Sequence, residues 1–177
     1  MLDRIRRIVT GHDPQGRSVV ARDEVLRNRM GSNRRGVTEV WNTDGASIDT
    51  RDTEDRVQRP FSLVPTARGT KFLYFAVAPE ETGASPEVEE KRAAAAFAAY
   101  GAGHARPETG KSPWMHKTNT IDYIILLSGE VTLLLDGEER DLKPFDVVIQ
   151  RGTNHAWINR GSEPALLIAV LIDADVR

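Results

Sequence analysis

The chain of 177 residues contains no cysteine, which excludes both a disulfide framework and a cysteine-based zinc site. It has little excess of either charge, with a formal net charge of −2, so no basic face suggests nucleic acid as a partner. No apolar run approaches the ~18 residues of a membrane span. The charged residues 1–7 lack the apolar core of a signal peptide. We therefore expect a cytoplasmic protein that partners neither nucleic acid nor a membrane.

The length of the chain suits one domain, which would bury roughly 70% of the surface that the unfolded chain exposes. We expect that domain to span residues 1–177. N-terminal strands and loops occupy residues 1–60 in this interpretation. Further strands and a helix follow over residues 61–114, and the most regular strand pattern occupies residues 115–176.

Short apolar runs rich in β-branched residues recur along the chain, bounded by Gly, Pro or Asp. Their length and boundaries predict β-strands. The runs are a hairpin over residues 4–21 and strands at 37–41, 61–64, 71–77, 124–127, 131–135, 147–149 and 165–172. Hairpins at a spacing of ~10 residues favour a closed β-sandwich or barrel.

Residues 85–100 carry the one clear helix signal. Ser85 offers an N-cap oxygen, Pro86 fits the first helical position, and the alanine run at 93–99 has high helix propensity. The helix precedes His116 closely in the chain. It either packs against the barrel surface or covers the barrel mouth.

Residues 22–36 contain a cluster of arginines with few apolar residues between them. Its members are Arg22, Arg27, Arg29, Arg34 and Arg35. Such a cluster can bind phosphate or carboxylate groups. The alternative is a solvated loop or short helix, which Asp23 and Glu24 favour because they partly neutralise the cluster.

Imidazole and carboxylate groups lie between the apolar runs over residues 115–159. Side chains two residues apart on a strand point to the same face, so His116 should share a face with Thr118, and His155 with Trp157. A barrel mouth lined by such groups is a plausible site for a metal or a small ligand.

This stretch resembles the two motifs of the cupins. His116-Lys-Thr118-Asn-Thr-Ile-Asp122, followed by six residues and Gly129, is similar to the first motif. Gln150-Arg-Gly152-Thr-Asn-His155-Ala-Trp-Ile-Asn159 is similar to the second. The resemblance covers the last third of the chain. It departs from the family pattern at Thr118, where the second histidine is expected, at Asp122, which replaces Glu, and at Gln150, which replaces Pro.

The resemblance implies an all-β, double-stranded β-helix (jelly-roll) barrel with an N-terminal strand arm and one peripheral helix. It also implies a metal site of His116, Asp122 and His155, the ligand set that suits Fe(II) and that Zn or Mn would accept. Thr118, Gln150 and Trp157 would line the substrate pocket. In the metal-free alternative, Asp122 orients His155 and the two act as the catalytic acid–base pair. A purely structural role is the third alternative.

For function, the resemblance implies a small-molecule cupin, a metal-dependent enzyme acting on a small organic, aromatic or polyketide-like substrate. If it is an enzyme, it would be a dioxygenase-like oxidoreductase or a decarboxylase or isomerase. The alternative is a metal-free cupin that binds or senses a small ligand without catalysis. We also expect a homodimer, because the run at 165–172 is apolar on both faces and the N-terminal arm adds further apolar surface.

Overall fold

The computed structural model describes residues 1–45, 49–81 and 83–175. Within these ranges the chain forms eleven strands and one α-helix. The elements are β1 (Arg6–His12), β2 (Ser18–Val25), β3 (Arg29–Gly31), β4 (Gly36–Thr43), β5 (Thr70–Val77), α1 (Pro86–Ala99), β6 (Thr120–Ser128), β7 (Val131–Leu135), β8 (Glu139–Leu142), β9 (Val147–Arg151), β10 (His155–Ile158) and β11 (Ala165–Asp173). Short 3-10 turns occupy Leu2–Arg4, Arg56–Gln58 and Gly103–Ala105.

Two antiparallel sheets enclose the core. Six strands form the larger sheet in the order β3-β4-β5-β11-β6-β9, and three form the smaller in the order β10-β7-β8. Leu73, Leu126 and Leu167 of the larger sheet pack in one cluster with Val131 of the smaller sheet. The prediction of an all-β jelly-roll barrel with one helix is confirmed.

Strand β11 lies at the centre of the larger sheet, paired with β5 on one side and β6 on the other. Its side chains alternate between buried and half-buried positions. The run at 165–172 is apolar on both faces, but only one of these faces is fully buried. Because both edges of β11 are paired, neither edge is free for a partner subunit.

The N-terminal hairpin is also confirmed, as a separate two-stranded sheet of β1 and β2. Gly16 closes its turn with φ of 78°, a conformation that glycine adopts without steric cost. Arg7 ties the hairpin to the rest of the chain, donating from Nη1 to the Val40 carbonyl (3.0 Å) and to Asp55 Oδ1 (2.9 Å). Every residue of β2 is exposed, so the hairpin stands out as an arm.

Two segments differ from the sequence predictions. The predicted strand at 61–64 is wrong: the segment lies between Pro60 and Pro65 and bonds instead to the end of α1, where Leu63 N donates to the Tyr100 carbonyl (2.9 Å). The loop or short helix expected over 22–36 is wrong for Arg22 and Arg29, which belong to strands β2 and β3.

Helix α1 begins where its capping residues predict. The Ser85 side chain accepts a hydrogen bond from Val88 N, and Pro86 occupies the first turn. The helix buries Ala93 and Phe97, and the Phe97 side chain packs against Trp114 and His116. The helix is thus packed on the barrel and forms a wall beside His116. Across the described ranges no helix is both long enough and apolar enough to cross a bilayer.

Candidate functional site

A cavity of about 580 Å³ opens between the larger sheet, strand β10 and helix α1. This volume lies within the range of small-molecule binding sites. Residues of the barrel strands that line it include Phe75, Asp122, Ile124, His155 and Trp157, and residues from α1 and the following segment include Glu89, Phe97, Tyr100, Trp114 and His116. The cavity therefore combines aromatic walls with two imidazoles and with carboxylates that include Asp122 and Glu89.

His116 and His155 are held together by their backbones. They form an isolated antiparallel bridge, in which His116 N donates to the His155 carbonyl (2.9 Å) and His155 N to the His116 carbonyl (3.0 Å). Their ring centroids are 4.3 Å apart. This bridge brings together two residues that lie 39 positions apart in the sequence. Residues from the two motif-like stretches therefore meet at one place in the fold.

Each histidine ring is oriented by a carbonyl two residues earlier in the chain. His116 Nδ1 lies 3.0 Å from the Trp114 oxygen, and His155 Nδ1 lies 2.9 Å from the Thr153 oxygen. A carbonyl oxygen can only accept, so Nδ1 carries the proton in both rings. In the neutral rings Nε2 therefore carries the free lone pair.

Burial lowers the pKa of both histidines, because a charged imidazolium loses its hydration in the cavity wall. For His155 the neighbouring His116 ring adds to the effect, and the pKa falls to about 3. Both rings are accordingly neutral at physiological pH and can act as lone-pair donors.

Asp122 lies in β6 with its side chain buried. Its Oδ1 has no hydrogen-bond partner among the residues that the structure describes. Burial raises the pKa of Asp122 to about 6, although a hydrogen bond from Thr120 acts in the opposite direction. Burying a carboxylate with an unsatisfied oxygen costs free energy, so binding of a ligand or a proton at this oxygen is favourable.

The aromatic side chains surround the two histidines. The rings of Phe75 and Trp157 lie 6.0 Å apart, and Trp157 packs edge-on to His155 at 5.7 Å. On the opposite side Phe97 lies 5.0 Å from the His116 ring. Trp157 shares the cavity with His155, as strand alternation predicts for β10.

Thr118 does not line this cavity. The chain makes only a single bridge at His116 and does not become a regular strand until Thr120, so the two-residue alternation predicted for His116 and Thr118 does not apply. The Thr118 hydroxyl lies 2.7 Å from that of Thr120, and Thr118 lines a second cavity together with Lys117 and Asn154.

Gln150 is buried directly opposite Asp122 in the β6–β9 ladder, but it is not among the residues lining the main cavity. Its Nε2 donates to the Thr153 carbonyl (3.1 Å), the same oxygen that receives the His155 Nδ1 proton. Gln150 thus fixes the loop that orients His155.

Several wall residues were not singled out from the sequence. Phe97 is the large apolar residue within the alanine run of α1, and Trp114 lies two residues before His116. Arg35 belongs to the arginine cluster, but the sequence does not distinguish it from its neighbours. These residues reach the cavity through tertiary packing, and strand periodicity cannot predict such packing.

The donor chemistry of this site fits a divalent metal. Two neutral imidazoles with free Nε2 lone pairs, and a carboxylate with an unpaired oxygen in the same cavity, are ligand types that Fe, Zn and Mn accept. Within the described ranges, however, no three His, Cys, Asp or Glu side chains already form a cluster that could enclose an ion. The preassembled part of the site is the His116–His155 pair.

Comparison with protein-family models agrees with the motifs. Residues 103–171 match the family model described as the cupin domain, and this segment contains His116, Asp122 and His155. This segment of the chain is therefore similar to the cupins. Among solved structures, the chain is similar to a cupin 2 conserved barrel domain protein from Salinispora arenicola, with 16% identity, coverage of 84% of this chain and 82% of that one, and a TM-score of 0.42.

Two relatives illustrate the range of sequence similarity. Phomopsin biosynthesis cluster protein C' of Diaporthe leptostromiformis is 56% identical to this chain over 52 residues, which are 29% of this chain and 28% of that protein. The cupin-domain-containing oxidoreductase fogC of Aspergillus ruber is 26% identical over 184 residues, covering 98% of this chain and 75% of that protein. The first match thus spans less than a third of either protein.

Proposed function

We propose that this protein is a metal-dependent cupin enzyme that acts on a small aromatic or polyketide-like molecule held in the main cavity. The observation that carries the proposal is the His116–His155 pair, which lines the same cavity as Asp122, a carboxyl with an unpaired oxygen. The name of the fogC protein, an oxidoreductase, favours oxidoreductase chemistry over decarboxylation or isomerisation.

His116 and His155 would hold the metal, and Asp122 would supply the carboxylate ligand. Iron, zinc and manganese all suit this set. When bound, such an ion would polarise a substrate oxygen as a Lewis acid.

The chain's own residues account for binding and proton handling. Phe75 and Trp157 offer flat faces against which an aromatic substrate can pack. Because both histidines are neutral, neither has to lose a proton before its Nε2 acts as a donor. In the absence of a metal, Asp122 has a pKa of about 6, close enough to neutral pH to exchange a proton with a bound molecule.

A metal-free cupin is the second candidate, and the observation that favours it is the lack of a closed three-residue ligand cluster within the described ranges. In that case the cavity binds or senses a small ligand. If it catalyses, Asp122 and His155 would act as an acid–base pair. The substrate cavity is common to both candidates.

Elemental analysis of the purified protein, before and after supply of Fe²⁺, Zn²⁺ or Mn²⁺, separates them. We expect about one metal per chain in the wild type and its loss in His155→Ala and Asp122→Ala. His12→Ala is the matched control, because His12 lies at the end of β1 in the exposed arm. A wild type that stays metal-free after metal supply would reject the metal-dependent proposal in favour of the second candidate.

A further inference from the structure

Arg35 lines the main cavity with most of its hydrogen-bonding capacity unused. A guanidinium carries five N–H donors. Within the described part of the chain, Arg35 makes one marginal hydrogen bond, from Nη2 to the Pro79 carbonyl at 3.5 Å, and one long ion pair, from Nη1 to Glu89 Oε2 at 3.7 Å. Both distances exceed those of well-formed bonds, so the group is poised to take a better acceptor.

The position of Arg35 is fixed by the turn before β4. Ser32 Oγ accepts hydrogen bonds from the backbone N–H groups of Arg34 (3.3 Å) and Arg35 (3.0 Å). The next residue must be Gly36, since a Cβ there would lie 2.4 Å from the Met30 carbonyl oxygen. The side chain then extends over the Trp114 ring, with the guanidinium carbon 5.0 Å from its centroid.

Glu89 has two hydrogen bonds that do not involve Arg35. Its carboxylate accepts from Arg92 Nη1 (2.8 Å) and from the indole Nε1 of Trp114 (3.1 Å). Arg92 also pairs with Glu81 at 2.7 Å. An incoming anionic oxygen can therefore engage Arg35 while Glu89 keeps both of these hydrogen bonds.

We propose that Arg35 selects substrates that carry a carboxylate, by binding that group beside Trp114 while the aromatic body packs between Phe97 and Trp157. Arginine suits this role because its planar fork matches both oxygens of a carboxylate. The substrate class would be an aromatic acid. This proposal deepens the proposed function and rests on the main cavity being the ligand site.

The test compares two probes with the same ring system, 2-naphthoate and the neutral 2-naphthylmethanol, by calorimetric titration of the full-length protein. We expect wild type to bind the acid about tenfold more tightly than the alcohol, or better, as a charge-assisted pair provides. Arg35→Gln should bring the two affinities together, and Arg35→Lys should recover part of the difference. Arg34→Gln is the matched control, since Arg34 is the exposed neighbour in the same turn.

Three outcomes would overturn the proposal. They are a wild type that binds neither probe, a wild type without preference for the acid, and an Arg35→Gln variant that keeps the preference. The last would arise if a bound metal, and not Arg35, receives the carboxylate. Because the readout is binding, the two proposals can fail separately. An Arg35-dependent preference in a wild type that stays metal-free after metal supply would support this inference while rejecting metal-dependent catalysis.

Discussion

His116 and His155 are joined by main-chain hydrogen bonds in both directions, and each ring is separately held by a carbonyl of its own segment. The pairing of the two segments therefore does not depend on either imidazole. Replacing one ring should remove a donor from the site while the bridge that shapes the cavity stays intact. This separation of scaffold from donor makes single histidine variants informative.

The first prediction concerns metal and thermal stability. A ligand that binds only the folded state stabilises it by about 2.7 kcal/mol at a hundred times its Kd. We expect the metal that loads the wild type to raise its melting temperature, and to leave that of His155→Ala unchanged. Differential scanning fluorimetry with and without a chelator checks this. An equal rise in both proteins would place the metal elsewhere.

The second prediction concerns Asp122 and pH. Its pKa in the folded protein is about 6, above the ordinary 3.8, so between these values the folded state binds more protons than the unfolded state. The free energy of unfolding should therefore fall as pH rises from about 4 to about 6 and then level off. Asp122→Asn should be more stable than wild type at pH 7.5, by up to about 3 kcal/mol. The reason is that each unit of difference between the folded and unfolded pKa corresponds to ~1.4 kcal/mol of stability.

Urea unfolding of wild type and Asp122→Asn at pH 4 and pH 7.5 measures this difference. The advantage of the variant should be present at the higher pH and nearly vanish at the lower. A stability difference that does not change with pH would contradict the raised pKa. A stabilised variant that has also lost its activity would show that the buried carboxylate is kept for function.

The third prediction concerns a buried ion pair between Lys71 and Glu39, two strand residues whose side chains are almost fully enclosed. Removing one partner leaves the other charge buried alone, which costs roughly 3–5 kcal/mol. We expect that loss in Lys71→Met, and a recovery of most of it in Lys71→Met combined with Glu39→Met. Chemical denaturation measures both. Arg6→Met, at an exposed pair with Asp23, should unfold close to the wild-type midpoint.

The fourth prediction assigns Gln150 an indirect role. Its amide holds the Thr153 carbonyl that orients the His155 ring. Loss of such a supporting bond typically weakens metal affinity by about 10–100-fold. Gln150→Ala should therefore bind zinc more weakly in competition with a chromophoric chelator, while Gln15→Ala in the exposed β1–β2 turn should not. Unchanged zinc affinity in Gln150→Ala would leave Gln150 with a purely structural role.

The homodimer stays a prediction, but the structure favours a different interface from the run at 165–172. Strand β11 is central and paired on both sides, whereas the outer face of β6 and β9 exposes apolar side chains. They are Ile121, Tyr123, Phe145, Val147 and Ile149. Burying such a face in a second copy would remove it from water. We expect sedimentation to give twice 19.6 kDa for wild type and a monomer for Tyr123→Lys combined with Ile149→Lys.

In regular strands, sequence periodicity predicted correctly which side chains face the cavity. Strand β10 alternates, so His155 and Trp157 share the cavity, and Tyr123 of β6 faces outward as its position predicts. The same rule was wrong for Thr118, because residues 116–119 make one bridge and no strand. Capping residues placed α1 correctly. They could not predict that Phe97 forms a cavity wall, because that depends on how the helix packs against the barrel.

Phe145 lies in the turn before β9, and its φ is 77°. The turn therefore has the left-handed conformation and accepts the strain of a side chain there. The side chain is 80% exposed and adds to the exposed apolar residues of β6 and β9.

Between β5 and β6 the chain leaves the barrel over residues 78–119, and this excursion contributes Phe97, Tyr100, Trp114 and His116 to the cavity. Asp122 and His155 come from the barrel strands themselves. Mutations at the three aromatic residues can reshape the cavity walls without disturbing the strand ladders that hold Asp122 and His155. The shape of the cavity can thus vary while these two groups stay in place, and a library aimed at new ligands belongs at residues 78–114.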